Sequence, residues 1–99
     1  MDFSEKVLGL VKKIPKGKVT TYKKIAKKLN TNAYRAVGSA LRCNDKPIII
    51  PCHRVVNSDG AVGGYKGVKN SKEKIRLLKK EGIKIKSSKI ENLKNHLVM

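Results

Sequence analysis

The chain has 99 residues, 39% hydrophobic and 31% charged, which suits one compact domain and excludes both a disordered chain and a two-domain one. No apolar run approaches the ~20 residues of a membrane span, and Met1-Asp2-Phe3-Ser4-Glu5-Lys6 opens on an acid rather than the basic stretch of a secretory signal. The net charge is +17, from 24 Lys+Arg against 7 Asp+Glu, and points to a polyanionic partner, most simply nucleic acid. A general lysine bias would give the same excess without any such partner. The arginines Arg35, Arg42, Arg54 and Arg76 therefore say more than the total, because they make planar, directed contacts. A cytoplasmic monomer whose two cysteines are free thiols is the expectation.

Asp2 followed by Glu5 resembles a capping box, and Phe3, Val7, Leu10, Val11 and Ile14 recur at helical spacing, so residues 3–13 read as an amphipathic helix. Pro15 and Gly17 end it in a turn. Thr20 or Thr21 caps the next helix, whose apolar face carries Tyr22, Ile25, Ala26 and Leu29. Asn30 and Asn32 mark a break before another helix with Ala33, Ala36, Val37, Ala40 and Leu41 on its apolar side. Two short helices joined by a turn make a helix-turn-helix, although an ordinary helical hairpin has the same pattern. The opposite face of the second helix holds Arg35, Gly38, Ser39 and Arg42. A glycine there costs up to ~1 kcal/mol against alanine. Small residues flanked by arginines let a backbone approach a DNA surface closely.

Asn44, Asp45 and Pro47 read as a loop, Ile48–Ile50 as a short buried extended run stopped by Pro51. Val55 and Val56 are extended, Asn57-Ser58-Asp59-Gly60 is a turn, and Ala61 and Val62 return as a short hairpin strand. Gly63, Gly64, Tyr65 and Gly67 form a glycine-rich loop without the lysine-hydroxyl ending of a phosphate loop. Asn70 and Glu73 cap a helix with Ile75, Leu77 and Leu78 as apolar positions and Gly82 at its C-terminus. Ile90, Leu93 and Leu97 keep weaker helical spacing, which fits a docked short helix or a frayed end.

Cys43, at a helix end, reads as a buried inert thiol. Cys52 differs, because His53 and Arg54 follow it at once. A thiol reacts as its thiolate, and an adjacent base or cation promotes that form. Glu81 is an acid able to orient the histidine in a Cys-His-acid set. Cys43, Cys52, His53 and His96 fit no usual zinc spacing, so neither a metal nor a cofactor is expected. On residue types alone, Cys52 as nucleophile and Cys52 as structural thiol stand level.

Pro51-Cys52-His53-Arg54-Val55 resembles the active-site motif of the O6-alkylguanine-DNA alkyltransferases, the methylated-DNA–protein-cysteine methyltransferases. Thr21-Tyr22 before Ile25-Ala26, Arg35-Ala36-Val37-Gly38, Arg42 with Asn44, Ile50 to Val56, Gly60 with Gly64-Tyr65, Leu77-Leu78 and Glu81-Gly82 follow in the family's order. The likeness covers roughly residues 3–83 and is to the family's C-terminal catalytic domain. It implies that Cys52 accepts the alkyl group, that His53 takes the thiol proton through a water, and that Glu81 holds the histidine. Asn44 would brace the cysteine's turn and Tyr22 would donate to the departing guanine. Arg35 would fill the stack behind a flipped nucleotide, with Thr21, Ala36, Gly38, Ser39 and Arg42 on the DNA in the minor groove. Val55, Tyr65 and Lys66 would line the guanine pocket.

Four departures stand out. The family's additional N-terminal α/β domain is expected to be missing, Lys66 takes the place of a small hydroxyl residue, and Asp45 that of a frequent proline. The spacing from Tyr65 to Glu81 is also longer than usual.

The expected fold is mainly α with short β elements, a winged-helix-like helix-turn-helix domain over residues 1–85 with 86–99 as a C-terminal tail or short helix. The expected activity is single-turnover transfer of an alkyl group from O6-alkylguanine in double-stranded DNA, with no membrane partner. Two rivals remain. One is an alkyltransferase-like protein that marks damage without transfer, a group in which the cysteine is replaced. The other is a helix-turn-helix regulator that reads the major groove, which gives no reason for Pro51-Cys52-His53-Arg54.

Overall fold

The computed structural model describes residues 2–43, 50–63 and 72–98. The expectations for Asn44, Asp45, Pro47, Ile48, Gly64, Tyr65, Lys66, Gly67 and Asn70 lie outside them. Five helices and two two-stranded sheets are described, in keeping with the mainly α expectation. No described helix is long and apolar enough to cross a membrane.

Helix α1 runs Phe3–Lys12, and Asp2 caps it, its Oδ1 accepting from the Glu5 N–H at 2.8 Å. Its buried Val7 and Val11 lie one turn apart and, with Ile14, face the next helices. Helix α2 (Tyr22–Lys28) is capped by Thr21, not Thr20, the Thr21 Oγ1 accepting from Lys24 N–H at 3.0 Å. Asn30 ends the turn after α2 with φ 57°, a left-handed conformation that asparagine tolerates better than most side chains. Helix α3 (Tyr34–Arg42) follows, and α2 and α3 pack on each other and α3 on α1.

The buried stripe of α3 is narrower than the sequence suggested. Val37, Ala40 and Leu41 are buried, whereas Ala33 and Ala36 are exposed. Alanine pays so little for exposure that it does not mark a face by itself. Cys43, expected to be buried, is exposed at the C-cap of α3.

Strand β1 (Thr20–Thr21) pairs in parallel with β2 (Val55–Val56), Thr20 opposite Val55 and Thr21 opposite Val56. Successive strand residues point to opposite faces. Val55 accordingly enters the cluster built on α1, α2 and α3, while Val56 enters a second one with Val19, Val62, Leu78, Ile83 and Ile90. The turn after β2 forms as expected: Gly60 has φ 91°, and Asn57 N–H donates to the Ala61 carbonyl at 2.9 Å. The hairpin return of Ala61 and Val62 does not form a strand. Ala61 bridges to Lys89 instead.

Helix α4 (Lys72–Lys80) ends in a Schellman arrangement: Gly82 has φ 90°, its N–H donates to Lys79 O, and Ile83 N–H donates to Leu78 O. The C-terminal segment is docked. Strands β3 (Ile85–Lys86) and β4 (Lys89–Ile90) form an antiparallel hairpin, and α5 (Leu93–His96) follows. Val19 N–H donates to His96 O, and Val98 N–H donates to Val19 O, tying the end of the chain beside β1.

Candidate active site

The apolar run into Pro51 delivers Cys52 to a single 3₁₀ turn, Cys52–Arg54, closed by Arg54 N–H donating to Pro51 O at 2.9 Å. Cys52 is 8% exposed. The parallel pairing of β1 with β2 brings the start of α2, and with it Tyr22, beside that turn. Helix α4 packs against the turn from another side.

Glu81, at the C-cap of α4, closes the site from behind. Its Oε2 lies 3.0 Å from His53 Nε2. The same carboxylate takes two bonds from Arg54, Nε to Oε1 at 2.9 Å and Nη2 to Oε2 at 2.7 Å. Arg54 also donates from Nη1 to the Ile14 carbonyl at 2.7 Å, which fixes α1 to the turn. One acid thus orients both residues that follow the cysteine.

Burial lowers the His53 pKa, against the pull of Glu81, with the charges of Arg54 and Lys74 adding to the lowering. The ring is neutral near pH 7, with Nε2–H on Glu81 and the lone pair on Nδ1. Burial pushes Glu81 up, but the bonds from Arg54 and His53 outweigh it and hold the carboxyl below its ordinary range. Burial, then the nearby charge of Cys52, raises the Tyr22 phenol, which therefore stays a donor.

The sequence did not single out Lys74. Its residue is fully buried, and its Nζ donates to the Val55 carbonyl at 2.6 Å and lies 5.8 Å from the centre of the Tyr22 ring. Desolvation brings its pKa down to about 7, against an opposing influence of Cys52. A signal was present: Lys74, Leu78 and Glu81 fall at i, i+4 and i+7, one inward face of α4.

Arg35, Ala36, Ser39 and Arg42 are exposed on α3, and Gly38 is half-buried among them. A Cβ built on Gly38 would meet nothing within 4 Å. The glycine is thus not required by the protein's own packing. Thr21 is not on this surface. It is 2% exposed and occupied with capping α2. Val55 is fully buried in the first cluster. Among the described residues no three His, Cys, Asp or Glu side chains come together as a metal site.

The family model described as the DNA-binding domain of 6-O-methylguanine DNA methyltransferase matches residues 2–83. The chain belongs to that family. It is 58% identical over 64 residues to the methylated-DNA–protein-cysteine methyltransferase of Methanocaldococcus jannaschii, covering 65% of this chain and 37% of that protein. The Methanothermobacter thermautotrophicus protein of the same name is 42% identical over 84 residues, covering 85% of this chain and 46% of the relative. The chain therefore spans less than half the length of these relatives. Among solved structures it is similar to S. pombe Atl1 in complex with damaged DNA containing O6-carboxymethylguanine, with a TM-score of 0.84, 29% identity and coverage of 98% and 94% of the two chains. It is also similar to Mycobacterium tuberculosis OGT in complex with DNA, with a TM-score of 0.74, 39% identity and coverage of 82% and 50%.

Proposed function

We propose that the chain repairs DNA directly, moving the alkyl group of O6-alkylguanine onto Cys52 once and irreversibly. The observation that carries this reading is the Cys52–His53 turn backed by Glu81 at 3.0 Å from His53 Nε2. Glu81 accepts the hydrogen bond from Nε2–H, so Nδ1 is the nitrogen that accepts the proton of Cys52, directly or through a water. The thiolate sulfur attacks the alkyl carbon. The new S–C bond forms as the C–O6 bond breaks, and the bonding pair leaves with guanine. Tyr22, held protonated, donates to the departing base. The product is a thioether, which the site has no means to hydrolyse, so each molecule acts once.

The alkyl carbon is hidden in the base stack, and the nucleotide must rotate out to meet Cys52. Arg35 at the start of α3 would fill the gap it leaves. Ala36, Gly38 and Ser39 keep the face of α3 low enough for its backbone to approach the minor groove, and Arg42 grips phosphate. Asn44 would support the cysteine's turn, while the loop with Tyr65 and Lys66 would bound the base pocket.

A second reading is recognition of the damaged base without transfer, favoured by the near full-length likeness to the Atl1 complex. Cys52 with its oriented histidine argues for transfer. The deciding experiment measures intact-protein mass after incubation with a duplex holding one O6-methylguanine, beside Cys52→Ala. Exchange of one hydrogen for one methyl at Cys52, absent in the variant, supports transfer. Tight binding of the damaged duplex with no mass change selects the second reading.

A further inference from the structure

Helix α3 opens on an aromatic residue that the site above does not use. Tyr34 is 43% exposed, and among the described residues it is the large apolar side chain left in water. A lone exposed aromatic is ordinary on a protein surface. Tyr34 is set apart by what surrounds it. It walls a cleft of about 370 Å³ between α2, the turn and the start of α3, lined otherwise by Lys23, Lys27, Asn30, Thr31 and Asn32. That volume falls within the ~300–1,000 Å³ of small-molecule sites. No acid lines the cleft, and the chain has none between Glu5 and Asp45. Lys23 and Lys27 stand one turn apart on α2, a like-charge pair that weakens the helix slightly unless an anion lies between them. The wall carrying Tyr34 is tied to the turn by its N–H, which donates to Asn32 O at 2.9 Å. Thr31 Oγ1 is occupied, accepting from the Ala33 N–H at 3.1 Å. The side chains of Lys23, Lys27, Asn30, Asn32 and Tyr34 have no hydrogen-bond or ion-pair partner among the described residues.

We propose that this cleft holds one nucleotide of the bound DNA whose base has lost a stacking neighbour, with the base on the Tyr34 ring and its phosphate between Lys23 and Lys27. The amides of Asn30 and Asn32 offer donors and acceptors to the polar edge of the base. The inference rests on the reading of α3 as the DNA-facing helix and deepens it. Arg35, the next residue, is assigned there to the gap left by the flipped nucleotide. The guanine itself goes to Cys52, so the occupant of the cleft is a different nucleotide of the opened duplex. An aromatic ring beside a row of cations is the combination that holds single-stranded nucleic acid: the ring meets the face of any base and the cations follow the backbone. An intact duplex offers this cleft its phosphates only, because its bases are stacked. Tyr34 therefore adds affinity where the stack is open, which makes it a specificity-determining residue for damaged DNA.

The test measures binding to three DNAs of one sequence: a single strand, the intact duplex, and the duplex with one O6-methylguanine. The last is measured in a Cys52→Ala background, so that no transfer intervenes. Each protein has its fold checked by thermal melting. Tyr34→Ala is expected to bind the single strand and the damaged duplex about tenfold more weakly and the intact duplex within about twofold of wild type. Tyr34→Phe keeps the ring and is expected to match wild type on all three. Lys23→Gln with Lys27→Gln is expected to flatten the salt dependence of single-strand binding. Photocrosslinking of a single strand carrying 5-iodouracil is expected to modify the peptide that holds Tyr34, read by mass.

An equal loss on all three DNAs overturns the proposal, as does a loss in Tyr34→Phe as large as in Tyr34→Ala, or an unchanged salt dependence in the double lysine variant. Competition by micromolar free dAMP that Tyr34→Ala abolishes also overturns it, since the cleft would then be a mononucleotide site apart from the DNA interface. If wild type takes no methyl group from DNA but Tyr34→Ala still loses the single strand, the reading of function fails and the cleft stands. If wild type does transfer methyl and Tyr34→Ala binds all three DNAs as wild type does, the cleft falls and the reading of function stands.

Discussion

Replacing Glu81 with glutamine separates charge from shape at the centre of the site. The carboxylate takes bonds at 3.0, 2.9 and 2.7 Å from His53 and Arg54. An amide can accept at one oxygen only, and its NH₂ would then face a donor. The Glu81 and Arg54 side chains are 11% and 14% exposed, too little for water to replace the lost partner. Removing one member of a fully buried pair costs about 3–5 kcal/mol, and the residual exposure places Glu81→Gln at the lower end, about 3 kcal/mol. For a domain of this size that lowers Tm by roughly 12–24 °C.

The pH dependence of that loss has a definite sign. The folded-state pKa of Glu81 lies below its unfolded value, so its stabilisation is fully present above the unfolded value near pH ~4.3 and disappears as the pH falls through the folded one. Urea melts at pH 7 and pH 3 are expected to show the full difference between wild type and variant at the higher pH and a smaller one at the lower. Transfer is expected to slow about 100-fold, because His53 loses the group that fixes its tautomer. A loss under ~1 kcal/mol at pH 7 would show that the pair contributes no more than an exposed one, and the account of the site would fail.

Gly38→Ala is expected to move stability and binding in opposite directions. With nothing within 4 Å of the added methyl, the free protein gains up to ~1 kcal/mol, while affinity for duplex DNA falls about tenfold. Gly9→Ala on α1, equally open, supplies the control: it should stabilise without touching binding. Equal DNA affinity in the two variants would remove α3 from the interface. Thr21→Ala removes the α2 cap and is expected to cost about 1 kcal/mol, read from urea melts. An unchanged midpoint would mean that the cap bond contributes nothing. DNA affinity should fall linearly with log salt, by about 0.9 in slope per phosphate neutralised, with Arg42→Ala flattening the slope by about one. A wild-type affinity independent of salt would contradict the electrostatic argument from a net charge of +17.

The parts legible in the sequence are those fixed by neighbours. Asp2 caps α1, Asn30 breaks the helix-turn-helix, and Gly82 terminates α4 through contacts within a few residues. The cysteine and histidine were legible because they adjoin. What escaped depends on partners far along the chain. Val55 and Val56 look like half of a local hairpin, but they pair with Thr20 and Thr21. Ala61, which looks like the other half, pairs with Lys89. Arg54 reads as a cation beside the cysteine that could pair with some acid, and only the fold brings Glu81 and the Ile14 carbonyl to it. Lys74 was hidden by its own chemistry, because a lysine in a lysine-rich helix reads as solvent-facing.

That lysine also ties the economy of the fold to its chemistry. Its folded pKa, about 7, lies below the unfolded value, so the unfolded chain binds the extra proton between pH 7 and 10.5. The cost to folding is therefore complete below pH 7 and gone above about 10.5, and at full size it is about 5 kcal/mol. Lys74→Met recovers that cost but strands the Val55 carbonyl, a loss of about 1–3 kcal/mol. The variant is accordingly expected to be more stable than wild type at pH 6, by about 2–4 kcal/mol, with the advantage shrinking and then reversing as the pH rises toward 10. A structural lysine would behave in the opposite way, and the variant would be the weaker protein at every pH. A residue that weakens its own fold at neutral pH is one whose presence is explained by what it touches, and Lys74 reaches the Val55 carbonyl and the Tyr22 ring.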